Sequence, residues 1–163
     1  QKNQITILKS LENLKNVKKF NIKLYGYGKK FEFLKNFIKE KKLKNFKLIK
    51  KVFDKNKIYE NADLYVGSSL YEGFPNTYVE AASFRLPIIS SEFKSGSKEI
   101  LLNGKGGTFY PIGDFNSLSK LLDDFYLNRK KYLKKEIICS KNLKRFSNKK
   151  IIKDFNSILK KLI

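Results

Sequence analysis

Two glutamates with seven residues between them, Glu72 and Glu80, lie in the most chemically dense stretch of this chain: Ser68-Ser69-Leu70-Tyr71-Glu72-Gly73-Phe74-Pro75-Asn76-Thr77-Tyr78-Val79-Glu80-Ala81-Ala82. Leu64-Tyr65-Val66-Gly67 ahead of it reads as a buried strand, and a helix opens near Asn76 or Thr77. A strand-to-helix junction of this kind is where backbone N–H groups and the helix dipole meet an anion. Gly73 permits a tight backbone and Pro75 stiffens it. Such a loop can offer amides to a phosphate. The carboxylates of Glu72, in the loop, and Glu80, in the first turn of the helix, can accept hydrogen bonds from sugar hydroxyls. A plainer reading is also open: Thr77-Tyr78-Val79-Glu80 fits a capping box, in which Glu80 bonds only to its own helix, and Glu72-Gly73 fits an ordinary turn.

Other chemistries are excluded by what the chain lacks. It has no histidine, which removes every mechanism built on an imidazole base or ligand. Its one cysteine, Cys139, has no acidic or basic partner at nucleophile spacing and reads as a packing residue. No two aspartates are spaced Asp-x-Asp, and the adjacent Asp123-Asp124 fall within an outer helix, so no tight divalent-metal site is expected. Gly26-Tyr27-Gly28 lacks the third glycine of a dinucleotide fingerprint and reads as a tight turn, open to a close approach by a phosphate or an opposing domain. Lys98 is a weaker candidate for a phosphate contact.

The elements that must position these groups alternate. Asn3 can cap a helix carrying Ile5, Leu8, Leu11 and Leu14. Strands are expected at Phe20–Tyr25, Phe46–Ile49, Leu64–Gly67, Pro87–Ser90 and Gly106–Tyr110. Helices are expected from Phe31 through Leu34 to Ile38, around Ile58–Asn61, after Asn76, and near Ser97–Leu102. From Asp114 onward the pattern is helical. One stripe is Leu118, Leu121, Leu122 and Phe125; another is Ile151, Ile152, Phe155, Ile158, Leu159 and Leu162. Short apolar strands alternating with amphipathic helices imply an α/β fold, a Rossmann-like parallel sheet with helices on both faces and a helical C-terminus. Ligands of such sheets sit at the carboxyl ends of the strands.

At 163 residues the chain fits one domain, and 41% hydrophobic residues suffice for a core. The net charge of +21 invites a nucleic-acid reading. Against it, the lysines are spread along the whole chain and the only arginines are Arg85, Arg129 and Arg145, so base-specific recognition is not expected. Most lysines read as solvated surface, with an anionic membrane surface as a secondary partner. The lone cysteine and the want of any long apolar run suit the cytoplasm, with the inner face of the membrane as a peripheral location.

Glu72 and Glu80 within Ser-Leu-Tyr-Glu-Gly-Phe-Pro-Asn-Thr resemble the EX7E signature of family 4 glycosyltransferases, retaining enzymes with the two-domain GT-B fold. The likeness continues through Arg85-Leu86-Pro87-Ile88-Ile89-Ser90-Ser91, Ser95-Gly96-Ser97-Lys98-Glu99-Ile100, Asn103-Gly104-Lys105-Gly106-Gly107 and Pro111-Ile112-Gly113-Asp114. Upstream it includes Gly26-Tyr27-Gly28 and Ala62-Asp63-Leu64-Tyr65-Val66, and downstream Arg145-Phe146-Ser147, where Ser147 can cap the last helix. Arg85 stands where the family often has Gly or a neighbour of it.

The resemblance implies that residues 1–163 form a C-terminal nucleotide-sugar-binding domain, one half of a GT-B fold, truncated at its N-terminus, with the acceptor domain absent. Glu80 is then expected to hold the ribose hydroxyls of a nucleoside diphosphate, and Glu72 to face the donor sugar and the positive charge developing at its anomeric carbon. Gly73, Phe74, Pro75, Asn76 and Thr77 are expected to line the sugar and diphosphate, with the amides of Phe74, Asn76 and Thr77 facing them. Lys2 matches the lysine that neutralises the leaving diphosphate, and Ile49–Val52 would border the base. No cofactor or metal is implied, only a nucleotide-sugar donor, first a UDP-sugar, whose hexose or N-acetylhexosamine passes to a glycan or lipid-linked acceptor, as in bacterial polysaccharide biosynthesis. Two alternatives stand beside this reading. One is a non-catalytic basic domain binding RNA or anionic membrane; the other is a nucleotide-sugar epimerase.

Overall fold

The computed structural model describes residues 1–50 and 52–162 of the chain. Its strands are β1 (Ile22–Tyr25), β2 (Phe46–Ile49), β3 (Tyr65–Gly67), β4 (Ile88–Ser91) and β5 (Thr108–Tyr110). Its α-helices are α1 (Gln4–Ser10), α2 (Phe31–Glu40), α3 (Lys55–Tyr59), α4 (Asn76–Ser83), α5 (Ser97–Ile100), α6 (Phe115–Leu127), α7 (Arg129–Asn142) and α8 (Asn148–Leu162). All strand pairs are parallel, as short apolar strands joined through helices require. The hydrogen-bonded strands fall into two sheets rather than the single one expected: β1–β2, and β3–β4–β5 with β4 central. Both nevertheless contribute to one apolar cluster, in which Leu24, Phe46, Leu48, Val66 and Ile89 meet α1, α2 and α6.

β4 explains why helices cover both faces. All four of its residues are buried. Successive strand side chains point to opposite faces, so Ile89 joins the cluster with Leu8, Leu118 and Leu122, while Ile88 joins a second with Tyr78, Ala81, Ala82, Ile100, Leu101 and Cys139. Cys139 is buried as expected, and burial above all pushes its thiol up to about 11, leaving it unreactive at neutral pH.

Several boundaries depart from the sequence reading for local reasons. α3 begins at Lys55, earlier than the Ile58–Asn61 expected, because the Asp54 carboxylate accepts from the Asn56 N–H at 3.0 Å and caps it there. Asn3 precedes α1 in a left-handed conformation, and its amide donates to Thr6 Oγ1 instead of accepting from the helix. The helical C-terminus is three helices, and Ser147 does cap the last, its Oγ accepting from Lys150 N–H at 3.4 Å. The stripe of Ile151, Ile152, Phe155, Ile158 and Leu159 is exposed, so unlike Leu118, Leu122 and Phe125 it covers none of this core. Among the described residues no helix is long and apolar enough to cross a membrane.

Asp123 and Asp124 both serve the fold. Asp123 accepts from the N–H groups of Lys15 and Asn16, tying the segment after α1 to α6. Asp124 accepts from Lys131, Tyr132 and Asn128 across the α6–α7 corner, and these bonds, that of Lys131 first, hold its carboxyl down at about 2. An unfolded aspartate titrates near pH ~3.9. The contribution of Asp124 is therefore complete above about pH 4 and is lost as pH falls towards 2. Urea melts of Asp124→Asn are expected to show lower stability than the parent at pH 7 and a flatter decline between pH 4 and 2; parallel curves would remove Asp124 from the acid response.

Candidate functional site

The loop from Ser68 to Pro75 leaves the carboxyl end of β3 and is fastened on several sides before it enters α4. Tyr110 Oη donates to the Gly67 carbonyl at 3.0 Å, and Ser91 Oγ to that of Ser69 at 2.6 Å. The amino-terminal residues lie against it. Ser68 Oγ donates to the Lys2 carbonyl at 2.7 Å, and the Leu70 N–H to that of Gln1 at 2.8 Å. From the other side Ser95 Oγ donates to the Glu72 carbonyl. Gly96, at φ 54°, packs so closely that a Cβ there would lie 2.6 Å from Pro75 Cδ and 2.8 Å from the Gly73 carbonyl oxygen. Phe74 leans edge-on against Phe146, ring centroids 5.4 Å apart. Hydroxyls, a glycine and an aromatic from four other segments thus preset the loop's shape.

Glu72 points into this framework. Its side chain is 11% exposed, its Oε1 accepts from Ser69 Oγ at 2.7 Å, and Lys2 Nζ forms an ion pair with the same oxygen. Lys2 and Glu72, 70 positions apart in sequence, are therefore partners. Glu80 lies one full turn into α4, not in its first turn, since α4 begins at Asn76. The capping-box alternative fails here. Pro75 occupies the N-cap position, Thr77 Oγ1 accepts from Tyr65 Oη at 2.9 Å, and the Glu80 carboxylate turns away from its own helix end. Its Oε2 accepts from Tyr59 Oη at 2.9 Å, and its Oε1 lies 2.8 Å from Lys55 Nζ. Tyr59 and Lys55 went unrecognised in the sequence. Their i, i+4 spacing on α3 is a helix-face signal, but in a chain with 36 Lys and Arg it singles out nothing.

The remaining candidates divide. Asn76 does not turn its amide outward as expected: that N–H donates to the Phe74 carbonyl at 3.0 Å. The N–H groups of Gly73 and Phe74 meet no acceptor among the described residues. Lys98 pairs with Glu92 at 2.9 Å. Gly26 and Gly28, at φ 144° and 151°, have open space around both, but the turn falls later than expected, at Lys29–Lys30, where the Phe31 N–H donates to the Gly28 carbonyl at 2.9 Å. Lys51, within the segment expected to border a base, lies outside the described residues. A cavity of about 240 Å³ sits at the amino ends of β1 and β2, lined by Leu11, Val17, Phe20 and Leu43, away from both glutamates.

The burial of Tyr65 raises its phenol to about 12, and Tyr59 is raised further, by burial first and then by its bond to Glu80. Both remain protonated donors at neutral pH. The arrangement therefore presents two oriented carboxylates, each next to a lysine, beside free amides at a helix entrance: acceptors for hydroxyls and donors for an anion.

The family profile described as "Glycosyl transferases group 1" matches residues 1–146. The chain belongs to this family. An uncharacterized glycosyltransferase of Methanocaldococcus jannaschii is 43% identical over 68 residues, 39% of this chain and 17% of that protein. Among solved structures, the pneumococcal O-GlcNAc transferase GtfA in complex with UDP and GlcNAc superposes with a TM-score of 0.82 at 19% identity, over 98% of this chain and 33% of that one. Anabaena HepE in complex with UDP-glucose superposes with a TM-score of 0.83 at 19% identity, over 96% of this chain and 45% of that one. The chain thus spans less than half the length of each. Likeness at this identity establishes the fold, a half GT-B arrangement of parallel strands between helices.

Proposed function

We propose that this chain is the donor-binding part of a retaining glycosyltransferase of family 4, taking a nucleoside diphosphate sugar without a metal ion. The observation that carries the reading is the placement of Glu72 and Glu80, whose carboxylates turn to Lys2 and to Tyr59 instead of capping a helix. Glu80 accepts hydrogen bonds from the ribose hydroxyls. Glu72 orients hydroxyls of the donor sugar and faces the positive charge that grows at the anomeric carbon as the leaving group departs. Lys2, which is half exposed in its ion pair with Glu72, turns to the departing diphosphate, helped by the N–H groups of Gly73 and Phe74. The dipole of α4 adds about 0.3–2 kcal/mol, so the cationic side chain is the larger contributor.

A UDP-sugar is the first candidate donor, supported by the UDP ligands of the two fold relatives, with a hexose or N-acetylhexosamine as the transferred group. The acceptor, a glycan or a lipid-linked molecule, is read by a second domain, and the chain alone is expected to transfer little sugar. Calorimetric titration with UDP, UDP-glucose, UDP-N-acetylhexosamines and GDP-mannose tests this, each repeated in EDTA. Saturable binding of one nucleotide with the same Kd in EDTA is expected. Binding that disappears on chelation would replace the lysine-based site with a metal-based one.

A further inference from the structure

The two oxygens of Glu80 have unlike partners, and that asymmetry deepens the proposed donor site, on which this inference rests. Tyr59, at the end of α3, is 4% exposed. Its ring is wedged against Phe84 at 5.3 Å and Tyr65 at 6.3 Å between centroids, so the hydroxyl that donates to Glu80 Oε2 has nowhere else to go. Lys55, one turn earlier, has a side chain 59% exposed and holds Oε1 only through a solvent-screened ion pair. Such pairs contribute little and are readily exchanged. The Glu80 side chain is itself 26% exposed, so a ligand can reach the oxygen that Lys55 covers.

We propose that Tyr59 is the positioning residue for ribose recognition: its buried hydroxyl fixes the Glu80 carboxylate, and Lys55 withdraws from Oε1 to admit the ribose diol. A carboxylate held on one side by a rigid donor loses little freedom when the diol binds. Without that donor it must be ordered by the ligand, which weakens the diol contact. A role for Tyr59 in packing alone would leave the preference for the diol untouched, whatever it did to stability.

The test is the ratio of affinities of the 163-residue chain for UDP and for 2′,3′-dideoxyuridine diphosphate, which differ only in the diol. The parent is expected to prefer UDP by at least about tenfold, the scale of a hydrogen bond to a charged group. Tyr59→Phe is expected to bring the ratio within about threefold, chiefly by weakening UDP. Lys55→Met is expected to keep it, because the lysine is a displaceable cover. Should Tyr59→Phe not fold, Phe84→Leu takes its place: it removes the ring that wedges Tyr59 and leaves Glu80 intact, so the hydroxyl is no longer held on Oε2 and the ratio should fall likewise. A parental ratio in Tyr59→Phe or in that substitute, or a collapse in Lys55→Met, overturns the role of Tyr59 while leaving the donor site standing. A folded parent chain that binds neither nucleotide overturns both.

Discussion

Glu80→Ala is expected to weaken binding of UDP by about 10- to 100-fold, as loss of charge-assisted hydrogen bonds worth ~1.5–3 kcal/mol dictates. Two costs combine in this substitution and have to be separated. In the proposed site the ribose loses its acceptor. In addition Tyr59, 4% exposed and donating to Glu80 at 2.9 Å, is left with a buried hydroxyl that has lost its acceptor. That second cost falls on stability, at about 1–3 kcal/mol. Glu80→Gln retains the shape and one acceptor oxygen but not the charge, so it should preserve more of the stability while still losing most of the nucleotide affinity. Calorimetry read beside a thermal melt distinguishes the two effects. An unchanged Kd for UDP in both variants would remove Glu80 from the nucleotide site.

Gly67→Ala should cost about 3 kcal/mol, the upper end of the usual range for overpacking, although it adds a single methyl group. The methyl carbon would fall 2.1 Å from Tyr78 Oη and 2.7 Å from its Cζ. Tyr78 cannot yield cheaply. It is 2% exposed, its hydroxyl bonds Ser90 Oγ at 2.8 Å, and Tyr65 and Phe93 flank its ring at 5.6 and 6.2 Å between centroids. Moving the ring breaks the Ser90 bond; moving β3 disturbs the Gly67 carbonyl that Tyr110 holds at 3.0 Å. For a chain of this size the expected fall in Tm is roughly 6–12 °C. Because Tyr78 lies on α4 two residues before Glu80, nucleotide affinity should fall as well. A melting temperature within a degree or so of the parent's would show that β3 can separate from Tyr78, contrary to this account.

The acid response of Asp124 and the EDTA test concern different layers of the molecule. The first probes the α6–α7 corner that supports the sheet, and the second the chemistry at its edge. They should therefore vary independently, as distant sites do.

The element types and the location of the proposed donor site were legible in the sequence, because both are local. Apolar alternation marked β1, short apolar runs marked the other strands, glycine and proline marked the loop after Gly67, and the spacing of Glu72, in that loop, and Glu80, on α4, drew attention to this junction. Periodicity could not say which apolar stripes are covered. Leu118 and Leu122 are buried and Ile151 and Phe155 exposed, although both sets have helical spacing, since burial depends on what lies opposite. Nor could it join the strands into two sheets, because pairing between β1 and β2 or β3 and β4 is made by backbone groups far apart in sequence. The same holds at the site. That Glu80 bonds Tyr59 and Lys55 instead of its own helix, that Lys2 meets Glu72, and that Asn76 spends its amide on Phe74 are outcomes of distance and direction. Sequence supplied the carboxylates; tertiary structure chose their partners, because a hydrogen bond requires its two atoms within about 3 Å and aligned, which spacing along the chain constrains only inside a single helix, strand or turn.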